Sequence, residues 1–462
     1  MGKSGANKMA TMPVNKLLIS MSLPMMVSML IQALYNVVDS IFVAKICEDA
    51  LTAVSIAFSM QTLMTASAVG IGVGLNALLT RSLGENNRDH ADKAAINGLF
   101  LGLIAYIIFA LLGIFAVEPF YLSQTKDAAS PITQYGIEYL SWVMICSFGM
   151  YAQVLLERLL ISTGRTFYSM ITQTIGAVTN IILDPILIFG MLGMPEMGVK
   201  GAAIATVTGQ CVAAVIALIF NITKNHDIKI RVKGFIPDRR IIGTILSVGI
   251  PSMIMQAIGS VMTFCFNKML IWFSSTAVAV FGVYFKLNSI IFMPIFGLNN
   301  GMVPIIAYNY GARNRKRMMK TLKYSIIYAM SIMFIGMVLM EVFPRQMLML
   351  FNASEHMLEI GVPALRIICL SFTFAGCAIV LSSLFQALGH GVYSMMVSLI
   401  RQVFVLIPSA FVLALIGRHM GNNVSYIWWS FDIAEIASIV TSVTLFGRLY
   451  KKTIAKIPDG DE

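Results

Sequence analysis

Two carboxylates stand where a carboxylate is costly. Asp39 ends the run Leu34-Tyr35-Asn36-Val37-Val38-Asp39, and Asp184 ends Asn180-Ile181-Ile182-Leu183-Asp184, with Pro185 next. Both lie inside long apolar stretches, where an ionisable side chain must be paired, neutralised or turned toward water. Asn36 precedes Asp39 by three residues and Asn180 precedes Asp184 by four, spacings that share one helical face. Pro185 removes a backbone donor and frees a carbonyl beside the second carboxylate. Each carboxylate thus has an amide neighbour, an arrangement suited to sharing a proton or holding a small cation. Desolvation is what lets a carboxyl group keep a proton near neutral pH. Asp39, Asn180, Asp184 and Asn36 are therefore the candidate ion-coupling residues.

The second half of the chain carries a different set. Lys268, Lys286, Arg366 and Arg401 fall inside apolar runs, with Asp432 and Glu435 as counter-ions. Lys286, Arg401, Gln256, Asp432 and Glu435 are candidate cavity or substrate residues. Glu157-Arg158 reads as a local ion pair near the end of its run. Pro294, Pro304 and Pro408 are expected to bend their helices.

Catalytic motifs are missing from the text. There is no G-x-x-x-x-G-K-[ST] phosphate loop, no H-E-x-x-H and no G-x-S-x-G turn. Gly70-Ile71-Gly72-Val73-Gly74 sits in mid-span with no strand before it, where close helix packing explains the glycines. Asp89-x-x-Asp92 has a basic counterpart, Lys316-Arg317-Met318-Met319, and reads as a solvated turn. The six cysteines show no metal spacing. The expectation is a protein that is not an enzyme, holds no cofactor, and draws on a proton or sodium gradient.

What positions these residues follows from composition. Of 462 residues 58% are hydrophobic and 12% charged, against roughly 25% charged in a soluble domain. A water-soluble fold of this size could not cover its surface with so few charges. A membrane-crossing helix needs about 20 apolar residues, and twelve such runs can be read: 14–46, 51–83, 91–117, 132–162, 167–191, 199–222, 240–273, 277–310, 322–343, 357–388, 392–416 and 423–449. The expected fold class is an all-α membrane protein of 12 transmembrane helices.

Basic residues set the direction. The N-terminus and the even-numbered connections hold Lys3, Lys8, Lys16, Arg81, Arg88, Lys93, Arg158 and Arg165. They also hold Lys224, Lys229, Arg231, Lys233, Arg239, Arg240, the cluster 313–323, and Arg448, Lys451, Lys452 and Lys456. The opposite side has only Lys45, Lys126, Lys200, Arg345 and Arg418. The net charge of +11 is thus a matter of topology, with both termini cytoplasmic and no nucleic acid required.

The chain also repeats itself. A shift of 227 residues lays Pro24 on Pro251, Gly70 on Gly297, Gly74 on Gly301, Gly84 on Gly311 and Asn87 on Asn314. A shift of 225 lays Gly164-x-x-x-Tyr168-Ser169-Met170 on Gly389-x-x-x-Tyr393-Ser394-Met395. Each half has six helices, so the two pseudo-symmetric lobes share one orientation, a recurrent transporter plan. The reading divides the chain into a first lobe (1–223), a cytoplasmic linker (224–239) and a second lobe (240–462). Under the repeat, Asp39 falls on Phe266, Asn180 on Val405 and Asp184 on Ser409, which confines ion coupling to the first lobe.

The run Leu34–Val43, Asn180–Pro185, Gly297-Leu298-Asn299-Asn300-Gly301 and Asn309-Tyr310-Gly311-Ala312 together resemble the multidrug and toxic compound extrusion (MATE) family. The resemblance spans nearly the whole chain. It implies an inner-membrane antiporter that exports amphipathic, often cationic compounds against inward proton or sodium flow. On it, Asp39, Asn180 and Asp184 match the first-lobe proton or sodium site. The seventh run offers Gln256 and the tenth only Arg366 where one branch of the family has acidic residues, so the resemblance favours the DinF-like branch. A monomer is expected. The rival expectation is a flippase of the same broad fold for a lipid-linked saccharide, whose diphosphate the second-lobe cations would suit.

Overall fold

The computed structural model describes residues 7–230, 234–351 and 353–460. Lys3 of the N-terminal basic run and Arg231 and Lys233 of the linker lie outside them.

The described residues form helices joined by short turns. The spans are α1 (Val14–Ala44), α2 (Glu48–Gly84), α3 (Arg88–Phe115), α4 (Pro131–Ile145 with Phe148–Ser162), α5 (Thr166–Ile188) and α6 (Gly198–Thr223). After the linker come α7 (Arg239–Leu270), α8 (Ser275–Gly311), α9 (Arg315–Val342), α10 (Glu355–Cys369 with Phe372–Ala387), α11 (Gly391–His419) and α12 (Ser425–Lys452). Ten are single apolar helices of membrane-crossing length, and α4 and α10 are pairs bent by 45° and 50°. The protein is therefore a multi-pass membrane protein of 12 helices in two pseudo-symmetric lobes. The breaks fall at Cys146-Ser147 and Leu370-Ser371, and a lone serine in an apolar run is too common in membrane helices to mark a bend in the sequence. α8 continues through Pro294 and Pro304 without a break. Ahead of Pro408 the backbone widens to a π-helical turn, Ile400–Leu406, one way a helix absorbs a missing donor.

The repeat appears in the details that start and stop helices. Cys47 Sγ caps α2 by accepting from Ala50 N, and Ser274 Oγ caps α8 by accepting from Ala277 N. Asn87 caps α3 through His90 N, and Asn314 caps α9 through Arg317 N. Asn86 (φ 58°) and Arg313 (φ 54°) both take the left-handed turn between the helices.

The lobes are joined crosswise, α1 on α8 and α2 on α7, with α2 also against α8. Glycine makes this possible. A Cβ on Gly84 would come within 2.0 Å of the Tyr308 carbonyl oxygen, and one on Gly311 within 2.2 Å of the Arg81 carbonyl oxygen. These are the same contact seen from the two halves of the repeat. A Cβ on Gly74 would meet the Ile245 backbone, and one on Gly297 the Met26 backbone. All of these contacts fall in the helix halves nearer the basic end. Toward the other end Leu34, Val37 and Phe58 are exposed, as are Val261 and Phe264.

The termini and linker are tied together at that basic end. Arg317 Nη2 donates to the Met12 carbonyl at 2.7 Å, Arg315 pairs with Asp459 at 2.7 Å, and Arg165 pairs with Asp227 at 3.3 Å. Asp89 and Asp92 lie in the first turns of α3 rather than in a solvated turn, and Asp92 accepts from Lys229 N at 2.7 Å, anchoring the linker. The second lobe has one continuous apolar core. The core of the first lobe is divided into two clusters, and polar groups occupy the level between them.

Candidate functional site

Along α4, Met150 and Tyr151 belong to one apolar cluster of the first lobe and Leu155 and Leu156 to the other. Between them opens a cavity of about 150 Å³, walled by Tyr35, Gln153, Glu157, Gln173, Asn180 and Thr206 among others. Five helices, α1, α2, α4, α5 and α6, turn polar residues into it.

At one end of this cavity the structure brings together three of the four candidate coupling residues. Asn180 and Asp184, 2% and 0% exposed, share a face of α5, and Asn180 Nδ2 lies 3.4 Å from Asp184 Oδ1 and 3.3 Å from Thr206 Oγ1. Asp39 of α1 reaches across, and its carboxyl group comes close enough to that of Asp184 for the two to interact. Two carboxylates repel; a hydrogen bond between them needs a proton on one. Asp39 Oδ1, Asp184 Oδ2 and Asn180 Oδ1 are buried without a partner. Buried acceptors without a partner are what a proton or a hard monovalent cation satisfies. Among the described residues no group of three or more His, Cys, Asp or Glu side chains is placed to hold a metal ion. Asn36 is exposed and offers its backbone carbonyl to Ser40 Oγ; the three-residue spacing does not bring its side chain into this buried group.

Four neighbours had no role assigned from the sequence. Tyr35 and Thr206 stand together in the cavity wall, and Gln61 Nε2 donates to Tyr139 Oη at 3.2 Å. Tyr35 stood in the motif already singled out. Thr206 had no signal, because a threonine in an apolar helix ordinarily bonds its own backbone, as Thr208 does to the Ile204 carbonyl.

Glu157 and Arg158 do not pair. Successive residues on a helix point about 100° apart, and these two leave α4 on different sides. Glu157 enters the cavity wall, and Arg158 Nη1 donates to Asn300 Oδ1 of α8 at 2.9 Å, across the lobe boundary.

The second lobe is different in kind. Where the repeat places a counterpart to Asp39, Phe266 stacks on Phe281 with ring centroids 4.8 Å apart, beside Trp428. Arg401, on the π-helical turn, pairs with Glu435 of α12 at 3.4 Å, with Asp432 one turn away. Lys286 is exposed and lies over the Phe351 ring, and Lys268 lies over Phe264. Arg366 sits at the far end of the bundle with Glu341 at 4.0 Å. Gln256 is half-buried on α7. The four cations therefore do not converge on one place.

A family model described as MatE matches this chain twice, over residues 24–186 and 251–412. The multidrug export protein MepA of Staphylococcus haemolyticus is 26% identical over 423 residues, covering 91% of this chain and 90% of that one. An FAD transporter of Shewanella oneidensis is 24% identical over 399 residues, covering 86% and 88%. A solved structure described as the outward-facing conformation of a multidrug resistance MATE family transporter of the MOP superfamily superposes with a TM-score of 0.90 at 25% identity, covering 99% of this chain and all of that one.

Proposed function

The chain belongs to the MatE family, and we propose that it is a secondary antiporter exporting amphipathic or toxic small molecules in exchange for inward protons or sodium. The observation that carries this reading is the Asp39–Asp184 contact beside Asn180 and Thr206. A buried carboxyl pair with unpaired oxygens is a store for one monovalent cation, and it adjoins Asn180 and Thr206 of the cavity wall.

The basic end is cytoplasmic in this reading, as the positive-inside rule requires. The lobes, joined there through glycine contacts and apart at the other end, are then in an outward-open state. Cation entry from outside neutralises the pair, which removes the cost of burying its charge and allows the outer halves to close. Opening of the basic end then releases the ion inward and admits substrate. A charge crossing 100 mV carries about 2.3 kcal/mol, enough to bias two states roughly fiftyfold. Location in the cell membrane, a single-chain working unit and freedom from any cofactor belong to the same proposal.

Export of drug-like compounds is supported by the MepA relatives. A lipid-diphosphate flippase would need cations gathered around one headgroup, and Arg401, Arg366, Lys286 and Lys268 are each engaged separately. The test is efflux of the fluorescent cation ethidium from cells expressing the protein, with and without an uncoupler. Efflux abolished by collapse of the ion gradient supports the reading. Gradient-independent efflux, or movement of a lipid-linked saccharide in vesicles with no dye efflux, contradicts it.

A further inference from the structure

Glu157 lies in the same cavity wall but outside the Asp39–Asp184 group, and its surroundings are those of an exchange site rather than a structural anchor. It is 4% exposed. Oε1 accepts from Gln153 Nε2 at 3.1 Å and Thr172 Oγ1 at 2.9 Å, and Oε2 accepts from Gln173 Nε2 at 3.1 Å. All three donors are uncharged, while Arg158 turns away to Asn300. A buried ionised carboxylate held only by neutral donors is costly, and the cost is relieved by a proton or a bound cation.

The structure also holds an acceptor for that proton. Gln173 Oε1 is buried without a partner, pointing away from Glu157 while Nε2 points toward it. Rotating the amide by half a turn presents Oε1 to Glu157, where a protonated carboxyl can donate to it. Gln173 can therefore serve the ionised group as donor and the protonated group as acceptor. Further along the same face of α5 come the unpartnered Asn180 Oδ1 and Asp184 Oδ2, with Asp39 Oδ1 opposite. Glu157, Gln173 and Asn180 line one cavity, and Asn180 Nδ2 lies 3.4 Å from Asp184 Oδ1 of the carboxyl pair.

We propose that Glu157 is a second monovalent-cation exchange group, taking up a proton or sodium ion in series with the Asp39–Asp184 pair; this rests on the reading of the chain as an ion-coupled exporter. The groups around Glu157 leave it free to act so. Arg158 is the charged neighbour on its own helix; α5 supplies Asp184 further along, α1 supplies Tyr35 and Asp39, and α2 and α6 give the cavity only uncharged side chains such as Thr65, Thr206 and Gln210. With two exchange groups the transporter can carry two cations per cycle.

The test is pH-difference infrared spectroscopy of the full-length protein in lipid vesicles, with and without sodium, reading the C=O stretch of protonated carboxyls. Wild type is expected to show titrating bands of which Glu157→Gln removes one and Asp39→Asn another. Thr172→Val, which keeps the carboxyl and deletes a donor, is expected to shift the pH at which the Glu157 band appears and leave the other band in place. Loss of the Glu157 band on adding sodium at fixed pH assigns the site to either ion; persistence assigns it to protons alone. A Glu157→Gln spectrum that superposes on wild type, together with an unmoved band in Thr172→Val, overturns the inference. If Asp39→Asn still removes its own band, the ion-coupled reading survives; if neither variant changes a band, that reading falls too.

Discussion

Arg158 of α4 donates to Asn300 of α8 at 2.9 Å, a charged hydrogen bond that fastens the first lobe to the second. It lies beside Gly72, where a Cβ would come within 2.8 Å of Arg158 Cγ, so the guanidinium path is shaped by a glycine as well as by its acceptor. A hydrogen bond to a charged group contributes about 1.5–3 kcal/mol. Asn300→Leu is expected to shift the balance toward the state open at the basic end by roughly tenfold or more. Spin-label distances between the basic ends of α3 and α9 should lengthen in that variant; unchanged distances would show that the bond does not hold the lobes.

Gly84 and Gly311 make one contact twice. Since each added Cβ would stand about 2 Å from a backbone oxygen, and backbone cannot yield as a flexible side chain does, overpacking of about 1–3 kcal/mol is expected in either Gly84→Ala or Gly311→Ala. The two variants should open the basic end to a similar extent, read by the same distances. A large effect of one and none of the other would contradict the paired geometry.

Orientation can be checked by labelling. A cysteine replacing Asn423, in the turn between α11 and α12, is expected to react with a membrane-impermeant thiol reagent added outside intact cells. A cysteine replacing Lys229 should react only after permeabilisation. The reverse pattern would invert the topology.

Arg401 and Glu435 are coupled across α11 and α12, with Glu435 side chain 8% and Arg401 side chain 30% exposed. Removing the arginine strands a buried carboxylate, so Arg401→Met is expected to lower stability by roughly 2–3 kcal/mol, somewhat less than for a wholly buried pair. The double variant Arg401→Met with Glu435→Leu should recover most of that loss while altering which dyes are exported. Thermal unfolding in detergent decides: an additive double variant would mean that the two do not act as a pair.

Much of the architecture was legible because lipid enforces it. Twelve apolar runs, the charge bias and the glycine register of Gly70, Gly74 and Gly84 follow from the cost of exposing backbone and charge to hydrocarbon. Asp39, Asn180 and Asp184 stood out for the same reason, as polar groups in the wrong solvent. The breaks in α4 and α10 did not, since each falls at a single serine, Ser147 or Ser371, with no proline or glycine at the break to mark it. Nor did the divergence of Glu157 from Arg158 or the role of Gln173, because sequence adjacency says nothing of which lobe a helical side chain faces. The second-lobe cations look like a cluster in the text only because pairing partners such as Glu341 and Phe351 are remote in sequence from the residues they engage.

The central claim is that Asp39 exchanges the driving ion. Asp39→Asn keeps the size and hydrogen-bonding capacity of the side chain and removes its titration, so the variant should fold, insert and still bind ethidium. The decisive measurement is ethidium accumulation by purified protein in proteoliposomes under an imposed pH or sodium gradient. Wild type is predicted to concentrate the dye against its gradient and Asp39→Asn to stop at equilibration, with Asp184→Asn impaired in the same step. Uphill accumulation by Asp39→Asn at the wild-type level would contradict the account.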